Sequence, residues 1–308
     1  MPDKTSVLDG GLATDLEAAG FKLEGDPLWS ARILYTHPQA IKEVHHRFLQ
    51  SGADIITTAT YQASIEGFVK YQGLSLEQAK TIMMSAVQIA KDAIQDFLPF
   101  CQKSGRMKPL VAGSVGPYGA FLHDGSEFTG AYEEQISQEE FKNWHRQQIQ
   151  CLVSAGVDLL AMETIPSQKE AEALVDLLKE FPDTRAWLSY SCKDEQCISH
   201  GERFADAVKV ASRSKQLIAI GLNCCSPASV SPLLASAVKP PDLVWIVYPN
   251  SGEEWDVDSG WKSEKRPHSI ADLSLEWEKQ GAGLIGGCCR ITPLDIAELR
   301  QRIHQRHS

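Results

Sequence analysis

No stretch of this chain approaches the roughly 18 to 20 uninterrupted apolar residues that a membrane-spanning helix needs, so no membrane partner is expected. Positive charge is in deficit: 30 Lys and Arg stand against 40 Asp and Glu, for a formal net charge of −10. Nucleic-acid binding draws much of its affinity from Lys and Arg neutralising phosphates, so no nucleic-acid partner is expected either, and a small molecule is favoured. Met1-Pro2-Asp3-Lys4 opens no signal-peptide pattern, which points to the cytoplasm. Apolar residues are not scarce, at 43% against 23% charged; a sizeable core is possible and disorder is not indicated. No low-complexity linker divides residues 1–308, which are read as one domain.

Short apolar runs bounded by turn residues occur at 6–9, 54–59, 110–114, 157–163, 186–190, 217–223, 243–248 and 284–287, and read as eight buried strands. Between them lie stretches of helical period. In 38–51, Ile41, Val44 and Phe48 recur at spacings of three and four, and similar stretches cover 76–98, 139–155 and 169–181. A last helix should begin after Thr292-Pro293, because proline suits the first helical turn. Ser51-Gly52-Ala53-Asp54, Ala155-Gly156-Val157-Asp158 and Gln280-Gly281-Ala282-Gly283 each end a helix just before a strand, with glycine suited to a left-handed terminus. Apolar strands alternating with amphipathic helices indicate a parallel sheet. Eight such units in 308 residues fit a single (β/α)8 TIM-type barrel of the α/β class better than an open doubly wound sheet.

Such a barrel carries its chemistry where strands end and loops begin. There the sequence puts Asp9-Gly10-Gly11, Thr60-Tyr61, Gly116-Pro117-Tyr118-Gly119, Glu163-Thr164, Asn223-Cys224, Tyr248-Pro249-Asn250 and Gly287-Cys288-Cys289. Eight cysteines without a secretory signal do not suggest a disulfide framework, because the cytosol keeps thiols reduced. A lone cysteine is commonly a small buried hydrophobe, and Cys101 and Cys151 are read that way. The adjacent pairs Cys224-Cys225 and Cys288-Cys289 stand apart. Zinc prefers tetrahedral sulfur and nitrogen ligands, and a catalytic site supplies three of them and keeps one position open. Cys288 and Cys289 with either Cys224 or Cys225 make such a set. Neighbours on an ideal strand point oppositely, so Cys288-Cys289 has to bend off its strand, and Gly286-Gly287 is expected to give that freedom. Cys192 and Cys197 form a competing pair that no second pair accompanies.

Seven motifs follow one another along essentially the whole chain. They are Leu8-Asp9-Gly10-Gly11, Thr60-Tyr61-Gln62-Ala63, Ala112-Gly113-Ser114-Val115-Gly116-Pro117-Tyr118-Gly119, Glu163-Thr164-Ile165-Pro166, Gly221-Leu222-Asn223-Cys224, Val247-Tyr248-Pro249-Asn250-Ser251-Gly252-Glu253 and Gly286-Gly287-Cys288-Cys289-Arg290. In this order the chain resembles the homocysteine S-methyltransferases, in the branch that uses S-methylmethionine or S-adenosylmethionine. The resemblance implies a barrel with Zn2+ held by Cys224, Cys288 and Cys289, which act in catalysis through the metal. It selects Cys224 over Cys225 and leaves Cys225 a bystander. It also implies that the substrate amino acid lies against Asp9, Gly10 and Glu163, and that the reaction moves a methyl group from a sulfonium donor to the thiol of L-homocysteine, forming methionine.

The residue types suit that chemistry. A free thiol with a pKa near about 8.5 is mostly protonated at neutral pH, and a zinc ion removes the proton, so no dedicated general base is needed. The nine histidines, His45-His46 included, are given no role. Asp9 and Glu163 suit the substrate ammonium, and backbone N–H groups around Gly10-Gly11, opening a helix, suit its carboxylate. Aromatic faces stabilise cations, which makes Tyr61, Tyr118, Tyr248 and Trp29 candidates for the sulfonium. Thr60, Ser114, Asn223 and Asn250 complete the expected contacts. The rival from another class is a redox-switching or structural zinc–thiolate barrel without turnover, since vicinal cysteines oxidise reversibly. It gives no reason for Asp9 and Glu163 to share a rim.

Overall fold

The computed structural model describes residues 5–253, 255–256, 260–261 and 269–306, with backbone alone for 255–256, 260–261 and 305–306. Eight strands run parallel: β1 (Ser6–Val7), β2 (Ile55–Thr57), β3 (Leu110–Val115), β4 (Leu159–Ile165), β5 (Ala186–Tyr190), β6 (Leu217–Asn223), β7 (Val244–Tyr248) and β8 (Ala282–Ile285). Consecutive strands pair from β2 through to β8, and β8 pairs with β1. The ring closes where Leu8 bridges Ile55 and the Asp54 N–H donates to the Val7 carbonyl at 2.7 Å. The fold is the (β/α)8 TIM-type barrel expected from the alternation.

The two-residue period of a strand sorts its side chains between lumen and helices. Leu8, Ile55, Ala112, Leu159, Ala161, Trp187, Ala219, Ile246 and Leu284 pack together inside the barrel, while Val7, Ile56, Val111, Leu160, Leu188, Ile220 and Val247 face the outer core. Each large apolar side chain fully removed from water contributes roughly 1.5–3 kcal/mol. The helix Pro38–Ser51 buries Ile41, Val44 and Phe48, as its spacing requires. It also buries His45, whose pKa burial lowers to about 4. Gly52, Gly156 and Gly281 take left-handed φ values of 116°, 77° and 96°, the helix termini that the repeated Gly signals mark.

Several boundaries differ from expectation by a few residues, the fourth strand for example lying at Leu159–Ile165 rather than 157–163. The helix Leu76–Ser104 runs past 98 with Pro99 inside it. Proline removes one N–H from the ladder, but the carbonyl so orphaned belongs to Gln95, on the exposed face where water serves it. The last strand lies at Ala282–Ile285 rather than 284–287, because its ladder with β7 begins at Ala282 opposite Trp245. A short antiparallel pair, Trp255–Asp256 with Gly260–Trp261, was not anticipated. Among the described residues no helix is long and apolar enough to cross a membrane.

Candidate active site at the strand ends

Two residues beyond the apolar lumen layer, the same inward parity reaches polar side chains. Ala112 leads to Ser114, Ala161 to Glu163, Trp187 to Ser189, Ile246 to Tyr248 and, after two such steps, Ala219 to Asn223. A carboxyl group buried there needs partners. Ser114 Oγ donates to Glu163 Oε1, and the Tyr248 hydroxyl donates to Oε2 at 3.0 Å. The Trp187 indole N–H donates to the Tyr248 hydroxyl at 3.0 Å, and that hydroxyl lies 2.6 Å from Ser189 Oγ. Ser189 in turn is 2.8 Å from Asn223 Oδ1, which also accepts the Thr164 N–H. Burial raises the Glu163 pKa, against the hydrogen bonds from Ser114 and Tyr248. Burial likewise pushes Asp9 up to about 7; the N–H and hydroxyl of Thr57 oppose this, and the nearby Glu163 charge adds to it.

The cysteines meet by a different route from the one expected. Cys224, just past β6, takes φ 48°, a left-handed torsion uncommon for any residue but glycine, and so leaves the strand direction at once. Gly286 and Gly287 are absent from the left-handed region. A Cβ on Gly286 would stand 2.5 Å from the Leu8 side chain and 2.8 Å from the Asp9 carbonyl, so what matters there is the missing side chain rather than torsional freedom. The loop after β7 then braces the pair: Cys288 N–H donates to the Pro249 carbonyl at 2.8 Å, Cys289 N–H to Asn250 Oδ1 at 3.2 Å.

The Sγ atoms of Cys224, Cys288 and Cys289 lie within 4.8 Å of one another. Cys224 and Cys288 are joined as a disulfide with Cα atoms 5.6 Å apart, while Cys289 is free. This single pair is not a disulfide framework: both partners belong to one candidate ligand set, whose sulfurs fall within bonding reach of each other. Once reduced, three clustered sulfurs are a donor set that suits zinc. Burial pushes the Cys289 thiol up to about 11, a cost to the thiolate that a bound dication would offset. Cys225 is buried outside the group, with its thiol pushed up to about 12. Among the described residues Cys192 and Cys197 join no such cluster.

The remaining expected residues are distributed unevenly. Thr60 donates to the Ser114 carbonyl at 2.7 Å and ties the ends of β2 and β3. The Tyr61 hydroxyl is buried. The Tyr118 ring packs among Trp144, Tyr132, Phe121 and Phe141, and Trp29 packs against the outer core. The Gly11 N–H donates to the Ile291 carbonyl at 2.9 Å, so it is already used and does not offer itself to a ligand carboxylate. Sequence reasoning missed Ser189 and Thr57. Each is a polar residue in an otherwise apolar strand, and for Ser189 the inward parity shared with Trp187 was the available signal.

A family model described as homocysteine S-methyltransferase matches residues 6–303. The homocysteine S-methyltransferase of Escherichia coli (strain K12) is 42% identical over 298 residues, covering 96% of this chain and 94% of that protein. The betaine-homocysteine S-methyltransferase of Drosophila melanogaster is 42% identical over 295 residues, covering 92% and 88%. Among solved structures, the metallated form of the homocysteine methyltransferase MmuM from Escherichia coli superposes with a TM-score of 0.85 at 39% identity, covering 98% of this chain and 97% of that one. Its oxidized form gives the same TM-score at 40% identity and the same coverage.

Proposed function

Because the chain belongs to the homocysteine S-methyltransferase family, we propose that it moves a methyl group from a sulfonium donor, S-methylmethionine or S-adenosylmethionine, to the sulfur of L-homocysteine. The observation that carries this reading is the convergence of three cysteine sulfurs within 4.8 Å, at the same strand-end rim as the buried acid Glu163. Cys224, Cys288 and Cys289 would hold Zn2+, a reading that the metallated MmuM neighbour supports as to a metal and the all-sulfur donor set supports as to which. When bound, zinc supplies the positive charge that favours the thiolate form of a thiol at neutral pH. Asp9 and Glu163 take the substrate ammonium; an arriving cation lowers both acids' pKa values and drives them to the carboxylate form. Asn250 holds the Cys289 backbone through its N–H and fixes where that sulfur sits.

The homocysteine sulfur gives up its proton to solvent and its lone pair attacks the donor methyl carbon. The new sulfur–carbon bond forms as the old one breaks, and the breaking pair stays on the donor sulfur, which goes from sulfonium to neutral thioether. Holding both reactants in line contributes roughly 7–11 kcal/mol to such a step. Tyr61 and Tyr248 supply the aromatic and hydroxyl surface at this rim. We place the reaction in the cytoplasm, where a reducing milieu keeps ligand cysteines as thiols. The test is metal analysis with a methionine assay. Reduced protein should carry about one zinc per chain and form methionine from homocysteine, and Cys288→Ser should lose both; full activity in metal-free protein would overturn the zinc reading.

A further inference from the structure

Glu127 has no part in the chemistry above, yet it is a carboxyl group only 9% exposed. Its Oε2 is buried with no hydrogen-bond partner among the described residues. It sits on the short turn Ser126–Phe128 in the loop after β3, and that loop is firmly held. A Cβ on Gly119 would stand 2.5 Å from the Glu127 nitrogen, so the turn rests directly on the helix Tyr118–Leu122. Ser191, just past β5, donates to the Glu127 carbonyl at 3.5 Å. Fully buried Glu170 anchors the same loop, accepting from the Tyr118 N–H at 2.7 Å and the Tyr132 hydroxyl at 2.6 Å, with His145 Nε2 2.8 Å away.

The Tyr61 hydroxyl is also buried and faces the Thr164 side chain, a contact that falls short of full hydrogen-bond geometry and offsets only part of the cost of burial. Its ring lies on Gly116, where a Cβ would be 2.9 Å from a ring carbon. Glu127 heads the charges that bear on this hydroxyl, followed by Glu163 and Cys289, and Glu127 bears on Cys289 as well. Ser191 Oγ lies 3.4 Å from the Thr164 carbonyl as well as 3.5 Å from that of Glu127, so the Glu127 turn is tied to the end of β4. Tyr61 and Glu127, on the loops after β2 and β3, therefore both stand next to Thr164 at the strand-end rim.

A buried carboxyl oxygen left without a donor is costly in the ionised form until a cation arrives, and the hydrogen bond that Glu127 receives from its own N–H offsets only part of that cost. Asp9 and Glu163 are already committed to the ammonium of homocysteine, so a third acid calls for a second cation. The amino-acid sulfonium donors carry an ammonium with three N–H groups; a trimethylammonium donor has none to give. We propose that Glu127 and Tyr61 form the subsite for the methyl donor, with Glu127 taking its α-ammonium group, so that the protein selects sulfonium amino acids over donors lacking an N–H cation. This rests on the methyl-transfer reading above and decides between donor classes.

The experiment compares zinc-loaded wild type, Glu127→Gln and Glu127→Asp at saturating homocysteine. The donors are S-methylmethionine, its desamino analogue, which keeps sulfonium and carboxylate but lacks the ammonium, and glycine betaine. Wild type should prefer S-methylmethionine over the desamino analogue by about 30-fold in kcat/KM. Glu127→Gln should shrink that ratio to within about 3-fold through a higher KM for S-methylmethionine, with zinc content and the KM for homocysteine near wild type. Glu127→Asp, which keeps the charge one methylene short, should fall between and carries the test should the amide fold poorly. An unchanged ratio in both variants, or betaine as the best donor of the wild type, overturns the proposal while methionine formation still stands. No methionine from any donor removes both readings together.

Discussion

Burial pushes the Asp9 carboxyl up to about 7, and Thr57 offsets only part of this through its N–H at 2.7 Å. The folded value lies above the ordinary 3.8, so between about 4 and 7 the folded chain keeps a proton that the unfolded chain has released. That contribution to stability is whole below about 4 and is lost as pH rises through about 7. Asp9→Asn should therefore flatten the stability profile over this window and be more stable than wild type at alkaline pH by on the order of 2 kcal/mol. Thermal melts of both proteins across the range check it, and parallel curves would refute it. Glu163 obeys a stricter count. The contacts Glu163–Tyr248, Tyr248–Ser189 and Ser189–Asn223 are three oxygen–oxygen hydrogen bonds with only two hydroxyl protons between them. With Tyr248 donating to Glu163 and Ser189 to Asn223, the contact between the two hydroxyls is left without a proton. A proton on Glu163, donated to Tyr248 in place of the one it receives, would free the Tyr248 hydroxyl to donate to Ser189, in line with the burial-raised pKa of Glu163. Infrared spectra should show a protonated carboxyl band that Glu163→Gln lacks and that homocysteine removes; its persistence in the complex would mean that the acid does not ionise to meet the ammonium. The strand-end positions of Asp9 and Glu163 were legible in the sequence, and the roles given to them came from the family resemblance. Ser189 was not legible, because a single serine in an apolar run reads as filler until its neighbours across the lumen are known.

The elements themselves were legible because their periods differ. Inward and outward residues alternate on β4 and β6, whereas Ile41, Val44 and Phe48 step along one face of a helix. Pro99 hid six further helical residues, since its cost depends on whether Gln95 faces water, which only the packing reveals. The same dependence explains Glu170, whose importance no spacing announces. It lies near the start of the helix Gln168–Leu177, fully buried, and satisfies Tyr132, His145 and the Tyr118 N–H together. Glu170→Ala should strand all three groups and cost roughly 3–5 kcal/mol. Because those groups tether the loop after β3, hydrogen exchange should quicken over 118–132 ahead of the barrel strands. Uniform loss of protection would instead show that Glu170 supports the whole fold rather than that loop.

At the scale of the whole molecule, the site exists only when the ring is closed. Cys224 follows β6 and Cys288 follows β8, with the loop after β7 bracing the second, and the Asp9 carbonyl beyond β1 accepts the Gly287 N–H at 3.1 Å. The chain brings together sulfurs 64 residues apart, a separation that an open chain rarely spans by chance. Zinc bound by this set would therefore favour the folded state, by about 4 kcal/mol at free metal a thousandfold above Kd. In a protein of this size that corresponds to a Tm increase of roughly 5–10 °C. Joining Cys224 to Cys288 withdraws two of the three donors, so oxidised protein should show no zinc-dependent shift, and reduction should restore it. Cys225→Ser should keep the shift, because that sulfur lies outside the cluster. Scanning calorimetry of reduced, oxidised and re-reduced protein, each with zinc and with chelator, separates the cases. An equal shift before and after oxidation would place the metal elsewhere, because a set reduced to Cys289 alone could not hold it with the same strength.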